Sequence, residues 1–301
     1  MASPLATGLF HRAIGQSAPC PGHVPEADTN GMVRGGQLVE ATDANSLVAL
    51  RRVAPEALLA AAETTRWDSQ SRITVDGWVL PEPPAQRLRE GRQAKVPLLL
   101  GSLANEGVEL FPLNPQLTES ELAASLGMLG GARGQELAAL YAPAAEHPGA
   151  IEHAASTDFF MAFGMQRWAE YQARIGQPTF LYFMDHVPPA FHLYMPEKPE
   201  LELPGGPRSA GAYHSGDLAL VFGTVDKVGL HWTEQDRTLS RLMVRYWTNF
   251  AKTGDPNGAN LPVWLPFSSE TANTQRLDDN PVTVPGIRQA ALTIMAEAHP
   301  P

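Results

Sequence analysis

The chain has 301 residues, of which 44% are hydrophobic and 18% are charged, a composition typical of a globular protein with a sizeable core. Lysine and arginine number 22 against 32 aspartate and glutamate residues, and this acidic balance argues against a nucleic-acid partner because phosphate binding needs clustered positive charge. The single cysteine, Cys20, excludes an intrachain disulfide and a cysteine-built zinc site, and no run approaches the roughly 20 apolar residues that span a bilayer.

The first hundred residues predict one short helix and one buried strand. Residues 1–20 alternate turn signals with a short apolar segment around Ile14. Residues 54–66 are rich in alanine and leucine, and Pro55 at the first helical position supports a helix there. Residues 96–101 (Val-Pro-Leu-Leu-Leu-Gly) have the length of a strand that is covered on both faces, as in a parallel sheet.

The remaining two thirds predict three helices and a second strand. Thr118 and Glu121 form a capping-box pattern that begins one helix, and residues 153–174 predict a longer helix whose aromatic residues are typical of core packing. Residues 178–184 predict another buried strand. The clearest helix follows Thr233, where the apolar residues keep a helical period: Leu239, Leu242, Met243, Tyr246, Trp247 and Phe250. Strands that alternate with helices indicate an α/β architecture, and so few strands indicate one side of a larger sheet.

Two residues are candidates for catalysis by their positions. Glu106 follows the strand at residues 96–101, where open α/β sheets form ligand crevices, although a solvated loop residue is the simpler interpretation of position alone. His214 lies in a glycine-flanked loop before a short apolar run, and most of the nine histidines are expected to be ordinary surface or hydrogen-bonding residues. The histidine spacings match no common zinc motif, and glycine-rich phosphate loops do not occur. The sequence therefore implies no cofactor and no metal.

Several stretches, taken in order, resemble the type-B carboxylesterases of the α/β-hydrolase superfamily. Residues 3–17 resemble the helix that follows the nucleophile of that family, and residues 76–81 with the strand into Glu106 resemble the segment that carries its acidic residue. Residues 211–214, with Phe-Gly at 222 and 223, resemble the loop of the catalytic histidine. Residues 247–257 resemble its C-terminal helix. The resemblance runs from residue 3 to about residue 267.

The resemblance implies that Glu106 is the acid, and His214 the general base, of a Ser-Glu-His triad. In that mechanism the histidine takes the serine proton during attack on the ester carbonyl and later protonates the leaving alcohol. Asp217 is a candidate supporting residue, with a loop residue that caps the following turn as an equal alternative. The implied substrate is a small carboxylic ester, and the candidate pocket residues are Phe159, Phe160 and Phe191.

The nucleophile of the family is missing from these 301 residues. A Gly-x-Ser-x-Gly elbow and a glycine-rich oxyanion loop do not occur, and the nearest match, residues 15–19, has Pro19 in place of the second glycine. We therefore expect residues 1–301 to form a single partial type-B carboxylesterase domain, the C-terminal part of an α/β-hydrolase fold with an incomplete central sheet flanked by helices. Such a chain should be marginally folded and inactive alone.

Three functions follow from this expectation. The first is an esterase of which these residues are only a part, or one that needs a missing N-terminal half as its partner. The second is a non-catalytic, cholinesterase-like binding or adhesion protein, and the third is a pseudogene product. The retained Glu106 and His214 favour the esterase, since an adhesion protein needs neither. The sequence indicates neither the compartment nor the oligomeric state.

Overall fold

The computed structural model of the chain describes residues 1–18, 31–65, 73–110, 112–192 and 203–300. Cys20 and the end of the helix predicted over residues 54–66 lie outside these ranges. The chain divides into two compact units, one of residues 1–7 and 24–94 and the other of residues 8–23 and 95–301. No described helix has the length and apolar composition needed to cross a membrane.

The first unit consists of short helices. Among its described residues the α-helices are Gly31–Ala41 (α1), Leu47–Leu50 (α2), Pro55–Thr64 (α3) and Pro84–Arg89 (α4), and a 3-10 turn covers Pro4–Ala6. The α3 helix confirms the prediction for residues 54–64, because Pro55 occupies its first turn, where the missing backbone N–H has no helical partner to lose.

A five-stranded sheet organises the second unit. Its strands are Ala13–Gln16 (β1), Leu98–Leu103 (β2), Thr179–Met184 (β3), Asn273–Leu277 (β4) and Val282–Pro285 (β5). They lie in sequence order across the sheet, the first four parallel and β5 antiparallel to β4. Both predicted strands are confirmed, each beginning one or two residues later than expected. Parallel strands place their carboxyl ends along one edge, where α/β folds form their sites.

Helices flank the sheet in the second unit. They are Gly107–Leu110 (α5), Glu119–Gly130 (α6), Gly134–Tyr141 (α7), Pro148–Phe160 (α8), Ala162–Arg174 (α9), Leu218–Val221 (α10), Glu234–Thr253 (α11) and Gln289–Ala298 (α12). The predicted capping box forms at Thr118, and a second box forms at Thr233, where the sequence predicts the start of a helix. The α11 helix ends at Gly254, whose φ of 84° is a conformation that glycine adopts without a Cβ penalty.

Every residue of β2 and β3 is buried, so both faces of the sheet centre are covered. Because side chains alternate along a strand, Leu99, Leu103 and Tyr182 point to one face, where they join the apolar stripe of α11 in one core. The other face meets α9, since Trp168 of that helix lies against Gly15 and Leu100. A second core forms where α6, α7, α8, α9 and α12 pack on one another.

Two expectations about helices are wrong. Residues 3–17 do not form one helix: the 3-10 turn of Pro4–Ala6 is followed by Gly8 with φ of 79°, and Ala13–Gln16 pairs with β2 instead. Residues 153–174 form two helices rather than one, with a break at Met161, where ψ is −70°. Two backbone hydrogen bonds of the helical type still span this break, from Met161 N–H to the Thr157 carbonyl and from Met165 N–H to the Met161 carbonyl. The apolar residues on both sides therefore keep one helical period.

Candidate active site

Glu106 lies in the turn between β2 and α5, and its side chain is completely buried. Its Oε1 atom accepts hydrogen bonds from the Leu103 backbone N–H at 2.6 Å and from the Ser17 hydroxyl at 2.8 Å. Leu103 ends β2 and Ser17 follows β1, so two neighbouring parallel strands deliver both donors to the same carboxylate. A buried carboxylate needs such partners, because an unpaired buried charge is costly.

The turn that carries Glu106 requires glycine at the next position. A Cβ on Gly107 would lie 2.0 Å from Thr157 Oγ1 and 3.1 Å from His153 Cε1, both on α8. The α8 helix therefore packs directly against the backbone of this turn.

His214 meets Glu106 from a loop about one hundred residues further along the chain. The Nδ1 atom of its ring is 2.6 Å from Glu106 Oε2, and its side chain is 30% exposed while that of Glu106 is fully buried. A carboxylate at Nδ1 holds the ring as the tautomer with hydrogen on Nδ1, so that Nε2 carries the lone pair of the neutral ring. This is the arrangement in which an imidazole acts as a general base.

Asn105 fixes the histidine loop beside the acid. Its side-chain Oδ1 accepts from Ala212 N–H at 3.0 Å, and its own N–H donates to the Ala212 carbonyl at 2.9 Å. Gly211 in the same loop has φ of 69°, and a Cβ there would lie 2.4 Å from the Asn105 side chain. The residue before the acid thus sets the distance between the two candidate catalytic groups.

Asp217 is buried, and within the described part of the chain its carboxylate bonds to neither candidate catalytic residue. Its Oδ2 atom accepts from Gln16 Nε2 at 2.8 Å and from the Tyr182 hydroxyl at 3.2 Å, and Gln16 in turn accepts from Trp247 Nε1 at 3.0 Å. Asp217 begins α10, yet its side chain does not cap that helix. Burial, together with the nearby charge of Glu106, raises the pKa of Asp217 to about 6.

The three phenylalanines suggested for a substrate pocket do not gather at one place. Phe159 stacks on Phe163 at 5.6 Å between ring centroids and packs against the helical core, whereas Phe191 packs edge-on against Tyr213 at 6.3 Å in the core beside the sheet. Phe160 is half-buried at the end of α8. Phe191 thus touches the loop of His214 through Tyr213, and the pocket role of all three stays a prediction.

Sequence reasoning missed Gln16, Ser17 and Asn105 as parts of this site. The available signal was positional: Ser17 follows β1 as Glu106 follows β2, and side chains that follow neighbouring parallel strands meet at one edge. Within the described ranges no three His, Cys, Asp or Glu side chains are grouped to hold a metal ion.

The family model described as the carboxylesterase family matches residues 1–126 and 143–294. The chain belongs to the carboxylesterase family. It is 30% identical to carboxylesterase 5A of Canis lupus familiaris, a match that covers 92% of this chain and 50% of that protein. It is 28% identical to carboxylesterase 3 of Homo sapiens, over 99% of this chain and 55% of that protein. The chain thus spans about half the length of these carboxylesterases.

Solved esterase structures show the same fold. A carboxylesterase from Geobacillus stearothermophilus, EST55, superposes with a TM-score of 0.75 at 23% identity, over 98% of this chain and 60% of that one. A PNB esterase gives a TM-score of 0.71 at 24% identity, over 98% of this chain and 59% of that one. These likenesses, together with the mixed sheet and its flanking helices, confirm the predicted α/β-hydrolase fold class.

Proposed function

We propose that Glu106 and His214 are the acid and the general base of a Ser-Glu-His triad that hydrolyses carboxylic esters. The contact of 2.6 Å between Glu106 Oε2 and His214 Nδ1 supports this proposal most directly. In it, Nε2 of His214 takes the proton of the attacking serine and returns a proton to the leaving alcohol. The carboxylate holds the ring in place and stabilises the imidazolium that forms.

The nucleophile, in this proposal, comes from polypeptide that the 301 residues do not include. The sequence contains no Gly-x-Ser-x-Gly elbow, and the superfamily uses that sharp turn to expose its serine. Ser17 does not fill the role, because its hydroxyl donates to Glu106 and not to the base. The chain alone therefore supplies acid and base without a nucleophile or oxyanion donors, and it should not hydrolyse esters.

The Glu106–His214 pair is tested on the chain as it is, by proton NMR of the histidine rings. We expect a strongly downfield Nδ1–H signal that disappears in both His214→Gln and Glu106→Gln, because a proton shared with a carboxylate is deshielded. Glu121→Gln is the matched control, since Glu121 is an exposed carboxylate that only caps α6, and this variant should retain the signal. A downfield signal that is lost in His214→Gln but survives in Glu106→Gln would contradict the pairing, whereas a signal from His186, which faces Asp236 and Asp279, should persist in both variants.

The catalytic part of the proposal has three further tests. A fluorophosphonate probe should leave the folded chain unlabelled, and stoichiometric labelling of any serine would disprove the proposed inactivity. Sequencing upstream of the Met1 codon shows whether an in-frame extension encodes the elbow. In such a longer form, Glu106→Gln and His214→Gln should each lower kcat by about 10⁴ at unchanged folding, as judged by circular dichroism. A loss of less than tenfold in either variant would refute the assigned role.

A further inference from the structure

A cavity of about 650 Å³ lies beside the turn that carries Glu106. Asn105 from that turn, His153 and Thr157 from α8, and Arg288 at the start of α12 line it. Much of the remaining wall is made of small apolar side chains, which are Ala144, Ala145, Ala150, Ala154, Ala290 and Ala291. Its volume is in the range of small-molecule sites, which combine apolar walls with a few placed polar groups.

Arg288 is held rigidly at this cavity. Its Nη1 atom donates to Asp158, which is buried and also accepts from the Tyr141 hydroxyl at 2.6 Å. Its guanidinium also stacks over the ring of Phe183, 4.9 Å from the centroid. Two independent contacts thus fix the plane of the guanidinium before any ligand arrives, which lowers the entropy cost of binding.

One edge of the Arg288 guanidinium remains available. Across the described part of the chain, Nε and Nη2 of Arg288 donate to no protein acceptor, and Asp158 occupies Nη1 alone. These two donors lie side by side and match the two oxygens of a carboxylate. Thr157 donates to the His153 carbonyl and Asn105 accepts from Ala212. Gln289 also lines the cavity, and its Oε1 is a buried acceptor without a partner among the described residues. The cavity therefore pairs one bidentate cation with an apolar wall.

We propose that this cavity binds a small monocarboxylate, with the carboxylate on Nε and Nη2 of Arg288 and the apolar body against the alanines of α8 and α12. The site goes beyond the proposed function, because binding uses no atom of Glu106 or His214. Its ligand class is that of the acid released by ester hydrolysis, and only this connection rests on the proposed function.

Calorimetric titration with hexanoate tests the site, with hexanamide as the uncharged ligand of the same shape. Hexanoate should bind one to one and more weakly at higher salt, and hexanamide should bind about ten- to a hundredfold more weakly, because a charge-assisted bidentate contact is lost. Arg288→Lys keeps the charge without the paired donors and should weaken hexanoate binding about tenfold or more.

A second variant keeps the test sharp if Arg288→Lys disturbs Asp158. Ala154→Phe fills the cavity and leaves the Arg288–Asp158 pair intact, so it should abolish binding in a chain that still unfolds cooperatively. Ala123→Phe, on the exposed side of α6, is the matched control and should bind hexanoate normally. Equal binding of hexanoate and hexanamide, or binding that survives Ala154→Phe, would overturn the proposal. Loss of the Glu106–His214 NMR signal would not, so the two proposals fail separately.

Discussion

The two carboxylates at the carboxyl edge of the sheet are both buried, but their surroundings differ. Glu106 accepts hydrogen bonds from the Leu103 backbone N–H, from the Ser17 hydroxyl and, at Oε2, from Nδ1 of His214. Asp217 accepts only from neutral groups, Gln16 and Tyr182. Burial therefore dominates at Asp217, raises its pKa from 3.8 to about 6, and makes it change protonation at mildly acidic pH.

Asp217→Asn should remove a pH-dependent term from the free energy of unfolding. An acid whose pKa is higher in the folded chain binds more protons there, so its contribution to stability is complete below pH 4 and is lost as the pH rises through 6. At about 1.4 kcal/mol per unit of pKa, the loss is roughly 3 kcal/mol. Urea unfolding of parent and variant from pH 4 to 7 measures it: relative to the parent, the variant should gain most of that amount of stability, about 2 kcal/mol, between pH 4 and 7.

The control for this prediction is Glu40→Gln, which changes an exposed carboxylate and should leave the pH dependence of unfolding as it is in the parent. If the stability difference between the parent and Asp217→Asn is constant from pH 4 to 7, Asp217 does not titrate there, and its burial is compensated by some other group.

At the level of single residues, the sequence alone could nominate Glu106 and His214 but could not pair them. Position after a strand singled out Glu106, while only the family resemblance joined it to a histidine 108 residues away. Ser17 was missed because the pairing of β1 with β2 brings it to Glu106, 89 residues away. Gln16 was missed because its partners, Asp217 and Trp247, are 201 and 231 residues away. Such contacts leave no periodic trace in the sequence.

Among the elements, two helices begin with the same motif in different surroundings. Thr118 and Glu121 cap α6 with both residues exposed, whereas the box that caps α11 pairs the exposed Thr233 with the buried Asp236. Asp236 also bonds to His186 Nε2 and to Arg208 Nη2, each at 2.6 Å. Although burial acts to raise it, the pKa of Asp236 is lowered by these hydrogen bonds. The capping box of Thr233 and Asp236 therefore joins α11 to the end of β3 and to the loop that leads to His214.

Asp236→Ala should destabilise the chain far more than Glu121→Ala. The first change removes a helix cap and leaves the buried His186 and the Arg208 guanidinium without their shared carboxylate, a loss of about 3–5 kcal/mol. The second removes only a surface cap. Urea unfolding at pH 7 compares them, with Asp236→Asn as the milder variant if Asp236→Ala does not fold. Equal losses of unfolding free energy in the two alanine variants would show that Asp236 acts only as a helix cap.

Signals within a few residues predicted these elements well, and features without such a local signal were the source of the errors. Each of three patterns is visible in a short stretch of sequence and forms in the structure: the capping boxes, the apolar stripe of α11 and the buried runs of β2 and β3. The helix expected over residues 3–17 failed because Ala13–Gln16 is held by β2. The prediction of one helix over residues 153–174 was wrong because the hydrophobic period continues across Met161 and so gives no sign of the break there.

For the whole molecule, the two compact units differ in how much apolar surface they bury. In residues 1–7 and 24–94 the described buried side chains are few, namely Arg34, Ala61, Leu88 and Gln93. The same unit exposes large apolar side chains, among them Met32, Val33, Leu47, Val48, Leu59 and Trp78. Residues 8–23 and 95–301 instead contain both apolar cores. Because apolar burial supplies most of the stabilising free energy, the first unit should open at a much lower cost.

Hydrogen exchange followed by mass spectrometry should reveal this difference. Amides of α1 and α3 should exchange at least about a hundredfold faster than those of β2 and β3, relative to the rates of the unfolded chain, because weakly packed helices open locally while the central strands open only with the whole second unit. The α11 helix is the internal control: it is also helical, but its stripe is buried against the sheet, so its amides should resemble those of β2. Slow exchange in α1 and α3 would contradict the prediction and would mean that the first unit is stabilised by more burial than its described residues show. Fast exchange in α11 would mean that helicity rather than packing sets the rate.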